Sequence, residues 1–388
     1  MKPPTQLNHP PVIEVPADNR PLVAPVHQSV KFEFDSVAEA LRFFRGERAG
    51  FYYSRGANPT TRQLELTLAQ LQGRDDAIVC SSGAGAMSAT LLSLAKQGDH
   101  ILGFVESYPP TRQALKRMLG KFGVRHTLLP IADLAGVERV LREQPTRAVV
   151  FESPTNPALR IADITAITRL AREHGALTVM DNTFAGPHQH GSFDVDIFTH
   201  SLTKFAGGHG DVLGGAVIGR RELIDSLHAD FTLLGGTLDP HAAFLIQRGL
   251  KTYFVRYRAQ TASAQRIAEF LMSSPAVERV HYPGLPGHAG HALARRQMQD
   301  FGAVLSLDLR AGAGAAQRFA DALRLFSTAA SLGATESLVV PSQMLGHNDL
   351  SAEQRAVAGI AAGTVRLSIG LEDVDDLIAD LGQALASC

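Results

Sequence analysis

Short apolar runs alternate with helical segments through residues 77–218, and this alternation is the feature that most constrains the fold of the chain. Helices are predicted between the runs, for example over residues 111–121 and 164–174. The predicted strands lie at residues 77–80, 100–105, 148–151, 177–180, 197–200 and 212–218. Strands that alternate with helices in this way form a parallel sheet. The sequence therefore predicts an α/β fold with a mostly parallel, doubly wound sheet.

The pattern changes from about Pro240. Residues 241–273 contain no proline and only one glycine, which predicts one or two long helices. Strands and a last helix are then predicted at residues 277–282, 303–309, 364–369 and 374–385. This part of the chain is typical of a smaller α+β domain.

The first residues differ from both of these regions. Residues 1–25 hold seven of the 20 prolines and show neither a helical nor a strand period, which predicts an extended arm. We therefore divide the chain into an N-terminal arm (1–50), an α/β domain (51–240), and a long helix with a smaller α+β domain (241–388).

The charge and composition of the chain exclude several classes of protein. The 388 residues carry 37 Lys and Arg against 38 Asp and Glu, so no overall field attracts nucleic acid or an anionic membrane. The longest uncharged run, residues 77–95, contains too many Ser, Thr and Gly to span a membrane. Two cysteines exclude a disulfide framework, and residues 1–20 lack the apolar core of a secretion signal. We expect a cytoplasmic protein.

The segment 79–87, Val-Cys-Ser-Ser-Gly-Ala-Gly-Ala-Met, joins the first predicted strand to a helix through small residues. The first backbone N–H groups of such a helix have no partner within it and can bind a phosphate. A dinucleotide site is an alternative, because Gly83-x-Gly85-x-x-Ser88 nearly matches the pattern Gly-x-Gly-x-x-Gly/Ala. A dinucleotide site also needs an acidic residue at the end of the next strand, whereas the nearest candidate, Asp99, begins that strand. Tight helix packing without a ligand is the third interpretation.

Two further segments place ionisable groups after predicted strands. Asp181 ends a strand at the edge where open α/β sheets bind ligands, although a helix N-cap or a loop carboxylate has the same signature. Lys204 follows the next strand and precedes a Gly-rich turn; a lysine near apolar walls can form a Schiff base, whereas an exposed loop lysine is the simpler alternative. A phosphate cradle, a carboxylate and a lysine at the strand ends of one sheet together suit pyridoxal phosphate.

Eight ordered motifs resemble one known family, the Cys/Met-metabolism pyridoxal-phosphate enzymes of the aspartate-aminotransferase fold (fold type I). This group includes cystathionine γ-synthase, cystathionine γ- and β-lyases and methionine γ-lyase. The similarity runs from about residue 21 to residue 386. The motifs are Tyr-Ser-Arg-x-x-Asn-Pro-Thr at 53–60, Ser-Ser-Gly-x-Gly-Ala at 81–86, Glu-Ser-Pro-Thr-Asn-Pro at 152–157, Asp-Asn-Thr at 181–183, Ser-Leu-Thr-Lys at 201–204, Arg-Gly-Leu-Lys-Thr at 248–252, Tyr-Pro-Gly-Leu at 282–285 and Val-Arg-Leu-Ser-Ile-Gly at 365–370.

The resemblance implies how the matching residues would hold the cofactor. Lys204 would bind its aldehyde and move the substrate proton, and Asp181 would pair with the pyridine nitrogen. Tyr108 would stack on the ring and could protonate a leaving group. The other cofactor contacts would come from Asn156 near the ring oxygen, from the Gly83 and Ala84 N–H groups and the Ser201 and Thr203 hydroxyls at the phosphate, and from Tyr53 and Arg55 at the phosphate of a neighbouring subunit.

The resemblance also implies a substrate clamp and an assembly. Arg366 would bind the substrate carboxylate through two hydrogen bonds, with Ser331 nearby. Because Tyr53 and Arg55 would complete the site of a neighbour, the chain would form a homotetramer built from dimers. Without the motif context, Tyr53 would be a core aromatic residue and the two arginines would be surface cations.

The activity that the resemblance implies is elimination or replacement at Cγ or Cβ of a sulfur-containing or O-acylated amino acid. Two departures from the family pattern bear on the substrate. Pro109-Pro110 stands where the family commonly has Gly-Gly, and Ala330 stands where cystathionine γ-synthases and γ-lyases usually carry Glu for a distal amino group. We therefore favour a γ-lyase of the methionine or cystathionine type acting on a smaller or less polar side chain.

Three alternatives stay open. A γ-synthase-like transferase would use an activated homoserine, and a family member could serve a specialised pathway. An NAD-dependent oxidoreductase is the alternative from a different class. Metal binding is not expected, because His188, His190 and His209 flank turns and no helical His-x-x-x-His pair has a nearby Cys.

Overall fold

The computed structural model describes residue 19 and residues 21–388, so most of the predicted arm at residues 1–25 lies outside the described residues. Seven strands form a larger sheet. They are β1 (Asp76–Cys80), β2 (His100–Phe104), β3 (Arg125–Leu129), β4 (Ala148–Glu152), β5 (Leu177–Asp181), β6 (Ile197–Ser201) and β7 (Gly215–Gly219). Their order is β1-β7-β6-β5-β4-β2-β3, and within this sheet only β7 runs antiparallel to its neighbours. The prediction of a mostly parallel sheet is confirmed.

Eight helices accompany this sheet among the described residues. They are α1 (Val37–Phe44), α2 (Pro59–Gln72), α3 (Gly83–Leu94), α4 (Pro109–Gln113), α5 (Leu134–Glu143), α6 (Ile164–Glu173), α7 (Arg221–Leu234) and α8 (Pro240–Leu250). Successive side chains of a strand point to opposite faces of the sheet, so the central strands contribute side chains to two separate cores. Val149 and Phe151 of β4 pack with α2, α5, α6 and α8, whereas Ala148 and Val150 pack with α3 and α7. The sheet is thus covered on both sides, as a doubly wound fold requires.

A second, five-stranded sheet has its own core. Its strands are β8 (Val277–His281), β9 (Val304–Leu309), β10 (Ser327–Thr328), β11 (Leu338–Pro341) and β12 (Thr364–Ser368), in the order β10-β11-β12-β9-β8. The remaining helices are α9 (Tyr253–Met272), α10 (His291–Gln297), α11 (Gly312–Ala322), α12 (Ala352–Val357) and α13 (Val374–Leu385). Alanine, leucine, isoleucine and phenylalanine side chains of α9, α11 and α13 form the core with β9 and β12. The chain boundaries proposed at residues 50 and 240 stay a prediction.

The structure differs from the sequence-based elements in several places, and strands β10 and β11 were not predicted. The helix predicted over residues 111–121 is broken: α4 is followed by a π-helical turn (Ala114–Met118) and a 3-10 turn (Leu119–Phe122). Gly120 in the last turn weakens a continuous α-helix. Strand β3 was not predicted, because its side chains lie half exposed at the sheet edge and give no apolar run. In residue 19 and residues 21–388, no helix combines the length and apolar character needed to cross a membrane.

Candidate active site

Glu152, Asp181 and Lys204 lie where neighbouring strands of the larger sheet end. Glu152 ends β4 and lies opposite Asp181, which ends β5, and Asp181 in turn lies opposite Thr199 of β6. Lys204 follows three residues after Ser201, the last residue of β6. The carboxyl ends of adjacent parallel strands converge at one edge, which explains why residues far apart in sequence share one site.

The start of α3 lies against the end of β6. The Ser82 hydroxyl caps the helix by accepting a hydrogen bond from the Gly85 N–H at 3.0 Å. Among the described residues, the Gly83 and Ala84 N–H groups have no protein acceptor. Gly83 packs so closely that a Cβ there would lie 2.5 Å from Ser201 Cβ. The predicted phosphate donors therefore stand beside the predicted Ser201 hydroxyl, at the positive end of a 12-residue helix.

Lys204 is held in a partly buried position with one polar partner. Its Nζ donates a hydrogen bond to Ser331 Oγ at 2.7 Å. Burial, followed by the nearby Arg366 cation, lowers the pKa of Lys204 to about 8. Ser331 itself has φ of +112°, a backbone conformation that non-glycine residues rarely adopt and that is commonly found at functional sites. The amine is therefore available in its neutral form close to physiological pH.

Arg366, on β12, is a buried cation whose hydrogen bonds are incomplete. Its Nη1 donates to Asn156 Oδ1 at 3.0 Å and its Nη2 donates to the Ser331 carbonyl at 2.8 Å. Its buried Nε has no acceptor among the described residues, and burial lowers the pKa of Arg366 to about 10. A buried guanidinium without a carboxylate partner is costly unless a ligand supplies the negative charge.

Asp181 and Glu152 form a buried acidic pair. Asp181 Oδ1 accepts the Thr183 N–H at 3.0 Å, and burial raises the pKa of Asp181. Burial, and then the neighbouring Asp181 charge, raises the pKa of Glu152 to about 8. Two adjacent buried carboxyl groups cannot both ionise cheaply, so burial and the proximity of the two charges raise the pKa of this pair. Glu152 is the first residue of the Glu-Ser-Pro-Thr-Asn-Pro motif at 152–157, which by itself predicted no role for its side chain.

Glu152 has a positioning function that its sequence signature could have revealed, since it ends an apolar strand as Asp181 does. Its Oε2 accepts the Tyr108 N–H at 3.0 Å, and its Oε1 accepts the Asn156 N–H at 2.9 Å. Tyr108 lies at the start of α4, with Pro109 and Pro110 as the first helical residues. Burial, and next the Asp181 charge, raises the pKa of the Tyr108 phenol.

A cavity of about 270 Å³ unites most of the predicted site residues. Those that line it are Gly83, Ala84, Tyr108, Asn156, Asp181, Ser201, Thr203, Lys204, Ser331 and Arg366. Tyr53 and Arg55 do not line this cavity: they lie next to each other, with the guanidinium 5.5 Å from the ring centroid, and Tyr53 is 43% exposed. Their predicted action on a neighbouring subunit stays a prediction.

Comparison with known proteins identifies the family. Residues 13–386 match the family described as Cys/Met metabolism PLP-dependent enzyme. The chain belongs to this family. It is 42% identical to the L-methionine gamma-lyase of Pseudomonas putida, covering 94% of this chain and 92% of that one. It is 39% identical to the O-succinylhomoserine sulfhydrylase of Pseudomonas aeruginosa, covering 92% and 89%.

A solved structure supports the same assignment. An O-acetylhomoserine (thiol)-lyase of Campylobacter jejuni, described as containing N'-pyridoxyl-lysine-5'-monophosphate, superposes with a TM-score of 0.89 at 33% identity, covering 97% of both chains. The fold-type-I prediction and the prediction of a pyridoxal-phosphate enzyme of the lyase and transferase group are confirmed. The Gly83 loop therefore belongs to a pyridoxal-phosphate enzyme and not to a dinucleotide-binding protein.

The donor set of the cavity fits this cofactor. The free N–H groups of α3 suit a phosphate, the buried Asp181 suits a cationic ring nitrogen, and the Lys204 amine suits an aldehyde. As for metals, residues 21–388 contain no group of three or more His, Cys, Asp or Glu arranged to hold an ion.

Proposed function

We propose that this enzyme eliminates the γ-substituent of a thioether amino acid such as methionine, consuming one water molecule and releasing a thiol, ammonia and a 2-oxo acid. The distribution of charge in the cavity carries this proposal. The charged side chains of this chain that line it are Glu152, Asp181, Lys204 and Arg366. The cofactor, the substrate α-carboxylate or the backbone engages each of them. Among the described residues, no charged side chain is left to bind a second amino or carboxyl group.

The rest of the lining is uncharged. Its apolar part, which we propose as the substrate compartment, consists of the side chains of Pro110, Leu213, Ala330, Leu332, Met344 and Leu345, and Ser88 and Thr111 add hydroxyl groups to the cavity. The distal half of cystathionine carries an ammonium and a carboxylate, whose burial without partners is unfavourable. An uncharged thioether, by contrast, gains from contact with apolar walls. The cavity therefore favours methionine over cystathionine.

The same residues account for how the cofactor would be held. The Gly83 and Ala84 N–H groups with the Ser201 and Thr203 hydroxyls would bind the phosphate, and Asn156 would lie near the ring oxygen. Asp181 supplies the negative charge that keeps the ring nitrogen protonated. When bound, pyridoxal phosphate supplies an aldehyde that takes up the substrate amine and a ring that draws electrons from Cα.

Lys204 and Tyr108 transfer the protons of the proposed reaction. With a pKa lowered to about 8, Lys204 has a substantial neutral fraction that can accept the Cα proton, and the Ser331 hydroxyl 2.7 Å away directs its Nζ. The Arg366 guanidinium, with its unpaired Nε–H, binds the α-carboxylate and fixes the substrate. Because its pKa is raised, the Tyr108 phenol keeps its proton and can donate it to the departing thiolate.

Product analysis tests the reaction. The holoenzyme is incubated separately with methionine, cystathionine, cysteine and an O-acylhomoserine plus thiol, and the 2-oxo acid and thiol are quantified. We expect the highest kcat/KM with methionine. A higher value for cystathionine, or condensation of the O-acylhomoserine with the thiol at a greater rate, would replace this function by a cystathionine lyase or a γ-synthase-like transferase.

We further propose a homotetramer built from dimers in which Tyr53 and Arg55 reach the phosphate of a neighbour. In support, neither residue lines the cavity of its own chain, and α1 has no buried residue although it carries Val37, Leu41 and Phe44. Tyr53→Ala and Lys204→Ala should each be inactive alone. When the two variants are mixed and their subunits are dissociated and reassociated, activity should return. In a hybrid dimer, one of the two shared sites contains neither substitution. No recovery in verified hybrids would place Tyr53 in its own chain's site.

A further inference from the structure

Arg112 on α4 is fully buried and binds the carboxylate of Asp349, which lies between β11 and α12. Its Nε donates to Asp349 Oδ2 at 3.0 Å, and its Nη2 donates to Asp349 Oδ1 at 2.6 Å. Lys116, four residues later, also donates to Asp349 Oδ2 at 3.1 Å. This two-pronged geometry is the strong form of the arginine–carboxylate pair. No step of the proposed reaction uses it.

The same guanidinium also fixes the backbone that carries Tyr108. Arg112 Nη1 donates to the carbonyl oxygens of Val105, at 3.2 Å, and Ser107. These residues form the turn between β2 and α4, and Tyr108 comes directly after it. One buried cation therefore joins the Tyr108 turn to the segment that carries Asp349.

That segment, residues 342–351, connects β11 with α12 and forms one side of the cavity. It consists of two short 3-10 turns, Ser342–Met344 and His347–Asp349. Met344 and Leu345 line the cavity, and Met344 is 53% exposed. Burial alone would raise the pKa of Asp349, but the hydrogen bonds from Arg112 and Lys116 outweigh it and lower that pKa, so the carboxylate is ionised. The pair is thus a true ion pair beside the substrate compartment.

We propose that Arg112 is a positioning residue for the substrate side chain: by clamping Asp349 it holds Met344 and Leu345 as an apolar wall that selects unbranched, uncharged side chains. This inference rests on the proposed function for the placement of the side chain in this compartment. A purely structural ion pair would stabilise the fold without discriminating between amino acids. The two roles therefore differ in their effect on relative affinity.

The dissociation constants of unreactive amino acids report directly how much the apolar wall contributes to binding. Norleucine has an unbranched apolar side chain but no leaving group, and alanine is too short to reach the wall. Their dissociation constants are measured with the holoenzyme from the change in cofactor absorption. The variants are Met344→Ala, Asp349→Asn and the combination of both. Glu353→Gln is the matched control, because Glu353 is an exposed acid whose side chain accepts a hydrogen bond from Ser351 and from no other described side chain.

The wild type should bind norleucine more tightly than alanine. Met344→Ala and Asp349→Asn should each weaken norleucine by about tenfold, the effect of losing contact with roughly one methylene group, and leave alanine nearly unchanged. The double variant should lose little more than either single one, because both changes remove the same wall. Glu353→Gln should match the wild type.

An unchanged ratio of norleucine to alanine affinity in Asp349→Asn would overturn the proposal, whether both ligands bind as in the wild type or both are weakened equally. If Asp349→Asn does not fold, Arg112→Lys replaces it, because lysine keeps the charge but cannot make the paired hydrogen bonds. Failure of the proposed reaction is recognised separately, from the products of the wild type. The norleucine measurement needs no turnover and so judges the wall alone.

Discussion

Replacing Gly83 by alanine tests whether the start of α3 binds a phosphate. The added methyl would lie 2.5 Å from Ser201 Cβ and 2.7 Å from Ser201 Cα, whereas an ordinary contact between carbon atoms is about 3.5 Å. Because Ser201 Cα belongs to the backbone, side-chain rotation cannot relieve the overlap. The helix start and the end of β6 must therefore separate by about 1 Å.

This separation acts on two proposed phosphate ligands at once, the Gly83 N–H and the Ser201 hydroxyl. A hydrogen bond of about 2.9 Å that lengthens by about 1 Å is lost. A hydrogen bond to a charged group contributes about 1.5–3 kcal/mol. Loss of one such bond should raise the dissociation constant of pyridoxal phosphate about 10- to 150-fold. At saturating cofactor, kcat should change much less.

The assay is an equilibrium titration of the apoenzyme with pyridoxal phosphate, followed by visible absorption. Gly85→Ala serves as a control in the same helix, because its Cβ would lie 3.2 Å from the Ser82 hydroxyl and 3.9 Å from the next described atom, Ser81 Oγ. Gly287→Ala is a second control, since no atom of residues 21–388 outside its own neighbourhood lies within 4 Å of the added Cβ. Wild-type affinity in a normally folded Gly83→Ala, or an equal loss in Gly287→Ala, would refute the reasoning.

Three further predictions address the charged groups of the cavity. Arg366→Ala should raise the KM of the amino acid about 10- to 150-fold with the cofactor spectrum intact, and loss of the spectrum would show a different role. The pKa of Lys204 is about 8 in the fold against 10.5 unperturbed, so the unfolded chain binds more protons between these values. The wild-type apoenzyme should therefore gain stability over Lys204→Met as the pH rises from about 8 to 10.5 in denaturant titrations, whereas parallel curves would contradict the shift. Glu152→Gln turns a donor toward the N–H of Tyr108 or Asn156 and should lower the free energy of unfolding by about 1–3 kcal/mol, an effect that an unchanged denaturant midpoint would disprove.

Much of the larger sheet could be predicted because its strands are buried and apolar. The runs at β4, β5 and β6 are short, local and flanked by helices, so they are visible without any tertiary information. Edge strand β3 and the two-residue β10 give no such signal. The side chains of β10 are exposed and those of β3 are exposed or half-buried, so pairing with a neighbouring strand is what defines both strands.

The positions of Asp181, Lys204 and the Gly83 loop also follow from the sequence. Each comes directly after a predicted strand, and the carboxyl ends of parallel strands share one edge. Glu152 has the same local signature, yet its role depends on the N–H groups of Tyr108 and Asn156, which come from two other loops.

The remaining contacts were decided by how the two sheets pack. Lys204 and Ser331 are 127 residues apart, Arg366 and Asn156 are 210 apart, and the pair that clamps the cavity wall spans 237 residues. No local period or spacing encodes such distances. The sequence by itself determined the sheet and the cofactor-binding edge, because strand burial and strand ends are local properties, and it determined the family through eight short motifs. The substrate compartment formed only when the second sheet brought its charged and apolar side chains to that edge.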